Sequence, residues 1–151
     1  MDKQFINLVQ NRNEQIHINS MCNDSSLEAV AVSGTTGHYI RPTTPCTNKQ
    51  TSTQLIPIKM PNGEIITSSH IALLPQHNLP DKARQAHIFP GLQKTLISIS
   101  TICNNNCIAV FDEKRVTIYD KLTRQIVMQG HRNPNTTLYM INMAAPLRAM
   151  K

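Results

Sequence analysis

The sequence has no tryptophan and few aromatic residues of any kind, which make up 4% of its 151 residues. Because the bases of single-stranded nucleic acids stack on aromatic side chains, this scarcity argues against a stacking platform for RNA or DNA. Charged residues are also few, at 16%, whereas 40% of the chain is hydrophobic. Such a composition excludes wholesale disorder and allows a modest core, and the length fits one domain.

Long hydrophobic runs and metal-binding cysteine motifs are also missing. No stretch approaches the roughly 20 apolar residues that span a bilayer, and residues 1–18 contain no apolar segment of signal-peptide length. We therefore expect a cytoplasmic protein that does not enter a membrane, with its four cysteines reduced. Cys103 and Cys107 flank three asparagines that predict a turn, and no C-x-x-C occurs. We predict no metal and no cofactor, since a structural zinc site needs a full set of convergent ligands.

The net charge of +6 arises entirely in the second half of the chain. Residues 76–151 hold ten basic and four acidic side chains, whereas residues 1–75 hold five of each. The basic residues are scattered and form no run, which is typical of a solvated surface. We expect nucleic-acid binding that is weak and non-specific at most.

The first part of the chain divides into a polar tail and a strand that enters a tight loop. Residues 1–26 are polar, rich in Asn and Gln, and predict a tail or linker. Residues 27–32 predict a strand, which Gly34 and Gly37 end with a sharp reversal. His38 follows without a nucleophile beside it, so we expect it to bond to the backbone rather than to act in catalysis. Residues 42–53 predict a loop.

A hairpin is the strongest local signal of the sequence. Pro61-Asn62-Gly63 separates the apolar runs 55–60 and 64–74, and an Asn-Gly pair in that setting favours a tight β-turn. Pro57 cannot donate a ladder hydrogen bond, so the first arm is expected at an edge or at a bulge.

The remainder predicts short strands at regular spacing, an arrangement typical of an all-β barrel or sandwich. Residues 84–89 predict a strand, and residues 92–102 predict a strand that leads into a brief helix. The last four predicted strands cover residues 107–111, 115–119, 125–129 and 138–143. Residues 144–151 are expected to form a second tail.

Residues 29–40 carry a resemblance to a known family. Their sequence, AVAVSGTTGHYI, resembles the active-site segment of retroviral-type aspartic proteases, in which apolar residues lead into Asp-Ser/Thr-Gly. Ser33, Gly34 and Thr35 match that motif, whereas Val32 occupies the position of the aspartate. Further segments extend the resemblance in chain order: residues 59–64, 83–90, 96–107, 130–134 and 138–139. Over residues 27–143 the chain is similar to the protease segment of Copia-type retrotransposon polyproteins, with last strands that resemble the lead-in to a pre-integrase region.

The resemblance implies a fold, a partner and a substrate. It implies a retropepsin-like closed barrel over residues 27–143, with a flap hairpin and at most one short helix. It also implies a homodimer, in which Gly34 lets two loops approach and the Thr35 hydroxyl bonds to the partner loop. The flap at Pro61, Asn62, Gly63 and Glu64 would close over an extended peptide or polyprotein segment.

The chemistry of the family requires a group that this chain does not have at the matching position. Aspartic proteases use two carboxylates about 3 Å apart that share one proton. Val32 has no ionisable group, so we predict a polyprotein-processing domain that is catalytically disabled, and enzymatic activity stays an open question at this point. The alternatives are a non-catalytic peptide-binding or dimerisation domain and, less favoured, a basic nucleic-acid-binding β-barrel.

Overall fold

The computed structural model describes residues 27–60 and 62–144. The tail predicted at 1–26, all but the first residue of the tail predicted at 144–151, and Pro61 of the flap lie outside the described residues. The described residues form twelve strands and two short helices, so the all-β prediction is confirmed. Among them, no helix has the length and apolar character needed to cross a membrane.

Ten of the strands form one sheet, in the order β3-β6-β7-β2-β8-β1-β12-β11-β10-β9, and β4 pairs only with β5. The elements are β1 Glu28–Val32, β2 His38–Ile40, β3 Thr47–Thr51, β4 Pro57–Lys59, β5 Ile65–Thr67, β6 His70–Leu73, α1 Asp81–Arg84, β7 Gln85–Ile88, β8 Thr95–Ser98, α2 Ile99–Cys103, β9 Cys107–Phe111, β10 Arg115–Asp120, β11 Ile126–Arg132 and β12 Tyr139–Asn142.

The large sheet is open, and the expected closed retropepsin-like barrel is not confirmed. Its outer strands are β3 and β9, which do not pair with each other. The reason lies in the last four strands, which form a continuous antiparallel ladder and join β1 through β12. They therefore lengthen the sheet beyond β1 instead of closing it.

The prediction of at most one short helix is wrong. Asp81–Arg84 forms a helical turn before β7, and the Ala83 N–H bonds to the Pro80 carbonyl at 2.9 Å. A turn of this length is too short for hydrophobic periodicity to reveal it. The predicted step from strand to helix at 92–102 is confirmed by β8 and α2, where the Ser98 side chain caps the helix by accepting from the Thr101 N–H.

Two further segments differ from the expectation. The predicted second arm of the hairpin, residues 64–74, divides into β5, which pairs with β4, and β6, which joins the large sheet. The predicted loop at 42–53 contains β3, which pairs with β6. Strand β3 has the sequence TNKQT and is largely exposed, so it has no apolar pattern to mark it as a strand.

The buried residues form two apolar clusters. The larger one packs α1 and α2 against the sheet, with residues such as Ala83, Ile102 and Ile118 that are fully buried. The smaller one joins β1, β2 and β8 to the β4–β5 hairpin: Val30, Val32, Tyr39, Ile58, Met60, Ile66, Phe89, Leu92, Leu96 and Met140. The smaller cluster therefore fixes the hairpin over the end of β1.

Candidate functional site

Residues 33–37, which we call the site loop, connect two strands that are not neighbours in the sheet. Strand β8 lies between β1 and β2, parallel to β1 and antiparallel to β2. Val32 pairs with Ser98 at the end of β8, where α2 begins. The site loop therefore passes over the junction between β8 and α2, and that junction can hold it in place.

Val32 is the last residue of β1, and its side chain is 3% exposed. It belongs to the same apolar cluster as Ile58, Met60 and Ile66, which are the inward-facing residues of the hairpin. The position of the expected aspartate is therefore occupied by a hydrocarbon group in an apolar setting, which cannot activate water.

The three motif residues that follow differ in exposure. Ser33 and Gly34 are exposed. Thr35 is 2% exposed, and its Oγ1 atom has no hydrogen-bond partner in the described part of the chain. The Thr35 hydroxyl thus has unused hydrogen-bonding capacity, but because it is enclosed it reaches a partner chain only if the loop shifts.

Hydroxyl groups from the β8–α2 junction hold the carbonyl groups of the site loop. The Ser98 Oγ donates to the Thr35 carbonyl at 2.8 Å, and the Ser100 Oγ lies 3.2 Å from the same oxygen. The Thr101 Oγ1 lies 3.2 Å from the Thr36 carbonyl. We call Ser98, Ser100 and Thr101 the hydroxyl clamp. Sequence reasoning missed this role, although three hydroxyl residues at the end of a buried strand and just after it were a visible signal.

His38 ties the same region to α1. Its ring is fully buried, its Nδ1 accepts from the Ser98 backbone N–H at 2.9 Å, and its Nε2 donates to the Ala83 carbonyl at 2.7 Å. These two partners fix the neutral tautomer with the proton on Nε2. Burial lowers the pKa of His38 to about 4. The prediction of a backbone-bonded histidine is confirmed, and neither ring nitrogen is free to act as a general base.

The predicted flap is a two-stranded hairpin that is packed down on the site. Ile58 pairs with Ile66, and both side chains face the smaller apolar cluster. Asn62, Gly63 and Glu64 form the exposed turn, in which the Asn62 Oδ1 accepts from the Glu64 N–H at 2.9 Å. Gly63 has a φ of 92°, a conformation that favours glycine.

Two of the acidic residues weighed from the sequence shape turns. The Asp112 carboxylate accepts from the N–H groups of Lys114 and Arg115, and the Asp120 carboxylate accepts from those of Leu122 and Thr123. These hydrogen bonds lower the pKa of both carboxyl groups, as expected for ionised turn residues.

The described histidines, cysteines and acidic residues offer no metal site. In residues 27–60 and 62–144, no three of them are grouped so as to hold a metal ion. The described cysteines, Cys46, Cys103 and Cys107, are free thiols. Burial raises the pKa of Cys107 to about 11, so its thiolate is not available for chemistry near neutral pH.

Comparison with known proteins adds no family to this description. No protein-family model, no curated protein and no solved structure matches the chain. The resemblance to Copia-type proteases therefore depends on the residues of the chain itself.

Proposed function

We propose that this chain is a retrotransposon-derived, retropepsin-like domain of the polyprotein-processing type, disabled for catalysis at Val32. The observation that carries the proposal is the site loop. Val32 ends β1 inside an apolar cluster, and the exposed Ser33 and Gly34 follow it directly. The chain has the loop of the protease motif but not its carboxylate, which is consistent with a domain that recognises peptides without cleaving them.

The remaining groups near the loop do not replace the lost carboxylate. An aspartic protease needs one carboxylate as a base and a second as an acid, from two copies of the loop. Two copies of Val32 supply neither. Ser33 is exposed, but His38, the nearest histidine in sequence, already uses both ring nitrogens in bonds to the backbone. No serine-type mechanism follows from that pair.

Peptide recognition in this proposal involves the hairpin and a second copy of the chain. An extended peptide would lie between the hairpin and the site loop and pair with strand backbone, while Gly34 allows two site loops to approach. Ile58, Met60 and Ile66 are buried on the inner face of the hairpin, and each buried side chain of this size stabilises the closed position by about 2 kcal/mol. The peptide must therefore cover the same apolar face when the hairpin lifts.

A second candidate function is a peptide-binding or dimerisation domain that never cleaves its ligand. The burial of Val32 with the inner face of the hairpin favours it, because an apolar floor binds apolar side chains without any proton chemistry. For either function we propose the cytoplasm as the compartment, which agrees with the free thiols of Cys46, Cys103 and Cys107.

The test compares the full chain with its Val32→Asp and Val32→Asn variants. Each is incubated at about pH 6 with a peptide library made from a digested proteome, and new peptide ends are identified by mass spectrometry. Asparagine matches the shape of aspartate without its charge, so it separates restored chemistry from altered packing. Circular dichroism confirms that all three proteins are folded.

We expect pepstatin-sensitive cleavage by the Val32→Asp variant alone. Cleavage by the unchanged chain would contradict the loss of catalysis at Val32. If all three are folded and none cleaves, protection of the hairpin from hydrogen exchange by a bound peptide would instead support the second candidate function.

A further inference from the structure

The two outer strands of the large sheet differ in how well their free edges are protected. Strand β3 carries Lys49, a positive φ of 54° at Asn48 and a break in register, all of which discourage another strand from pairing with it. Strand β9, with the sequence CIAVF, has no charge and no proline, and it pairs with β10 in continuous register over its whole length. An edge of this kind is a template for a further strand.

The hydrogen bonds of the β9–β10 hairpin show which groups face outward. The Asp112 N–H bonds to the Arg115 carbonyl at one end, and the Lys121 N–H bonds to the Asn106 carbonyl at the other. Because backbone groups alternate along a strand, the N–H and C=O groups of Cys107, Ala109 and Phe111 point away from β10. Within residues 27–60 and 62–144, these outward N–H and C=O groups make no backbone hydrogen bond.

We propose that β9 is an interaction edge for a second copy of this chain, joined by antiparallel pairing about a two-fold axis at Ala109. The outward backbone groups of the odd-numbered residues then form hydrogen bonds between the two copies. Ala109 pairs with Ala109 of the second copy, and Cys107 pairs with Phe111 of the second copy. On the outer face, Val110, which is 47% exposed, meets Ile108 of the second copy. Pairing therefore satisfies the outward backbone groups and covers apolar surface in one step.

The charges at the ends of β9 suit this self-pairing. In the two-fold register, the turn of Asp112, Glu113 and Lys114 lies toward the turn formed by Asn104–Asn106 of the second copy. Those asparagines are uncharged, so no like charges face each other in this register. The self-complementary register, without like-charge contacts at its ends, favours a second copy over an unrelated acidic or basic strand.

The test is the mass of the full chain in sedimentation experiments at concentrations on the order of tens of micromolar. In the Ala109→Pro variant, only an outward N–H is lost, so the bonds to β10 are kept. The matched control is Thr51→Pro on β3. There the Ser52 N–H bonds to the Ser69 carbonyl, so the N–H of Thr51 also faces outward. Circular dichroism verifies that each variant is folded, and Val110→Lys places a charge on the same edge without a backbone change.

We expect Ala109→Pro and Val110→Lys each to reduce the mass of the assembly at least two-fold, and Thr51→Pro to leave it unchanged. A monomeric unchanged chain would overturn the proposal, as would equal effects of Ala109→Pro and Thr51→Pro or the absence of any effect. The β9 edge is independent of the site loop, and a Gly34→Gln variant separates the two interfaces. If only β9 pairs, Gly34→Gln retains the mass of the unchanged chain, whereas Ala109→Pro is a monomer.

Discussion

Because His38 is buried in its neutral form, we predict that the protein loses stability on mild acidification. Its neutral ring accepts from the Ser98 N–H and donates to the Ala83 carbonyl, and its pKa is lowered from 6.5 to about 4 by burial. The unfolded chain therefore binds a proton at this residue between pH 6.5 and pH 4, where the folded chain does not. The contribution of neutral His38 to the free energy of unfolding is therefore fully present well above pH 6.5. It is lost progressively as the pH falls from 6.5 toward 4.

The magnitude follows from the two pKa values. At 1.36 kcal/mol for each pKa unit, the free energy of unfolding falls by about 2 kcal/mol at pH 5 and by about 3 kcal/mol near pH 4. A loss of this size is a large share of the stability of a small domain, which is typically about 5–15 kcal/mol. His87 acts in the same direction, since burial also lowers its pKa.

Urea unfolding followed by circular dichroism between pH 5 and pH 7.5 measures the effect, since the chain has no tryptophan for fluorescence. In the His38→Gln variant the amide retains a donor and an acceptor but does not titrate, so most of the pH dependence should disappear. His87→Gln is the comparison and should retain the larger part of it. Equal pH dependence in the unchanged chain and in His38→Gln would refute the reasoning.

Three further changes have defined outcomes. Gly130→Ala places a Cβ atom 1.9 Å from the Met140 carbonyl oxygen. We therefore expect thermal unfolding to show a loss of several kcal/mol in the free energy of unfolding. A change below about 1 kcal/mol would contradict the close approach of β11 and β12. Ser98→Ala removes the shortest bond of the hydroxyl clamp and should cost about 1–2 kcal/mol. It should also speed amide hydrogen exchange in the site loop, and unchanged exchange there would count against the clamp. Val32→Asp buries a carboxylate among apolar groups, so chemical denaturation should show a free energy of unfolding lower by on the order of 3 kcal/mol at pH 7. The loss should be smaller at pH 5, where the buried carboxyl group is more easily protonated. Equal losses at the two pH values would indicate an exposed side chain.

Local patterns predicted much of the strand content. Strand β9 has the predicted bounds, because a short apolar run between a turn of asparagines and an acidic turn has few other conformations. Strand β3 was missed because its polar residues show no alternation, and α1 was missed because one helical turn has no period. The order of the strands in the sheet could not be predicted from the sequence, because β1 pairs with a strand as distant along the chain as β12.

The candidate site was predicted only in part, and for a related reason. The resemblance identified Val32, Ser33, Gly34 and Thr35, but it gave no sign that the hairpin packs on the same cluster as Val32. Ser98, which holds the Thr35 carbonyl, lies 63 positions away in the sequence. Contacts of that range depend on how the sheet is assembled, and one sequence does not reveal them.

The position of β8 between β1 and β2 also has a consequence for synthesis of the chain on the ribosome. Both strands that flank the site loop are made long before Thr95–Ser98, and β12, the other neighbour of β1, is made later still. The loop therefore remains without lateral support until β8 has been made, and β1 lacks its other neighbour until β12 has been made. Contacts between distant segments form slowly. A product truncated before β8 would have the motif residues but none of the hydroxyl groups that hold the loop.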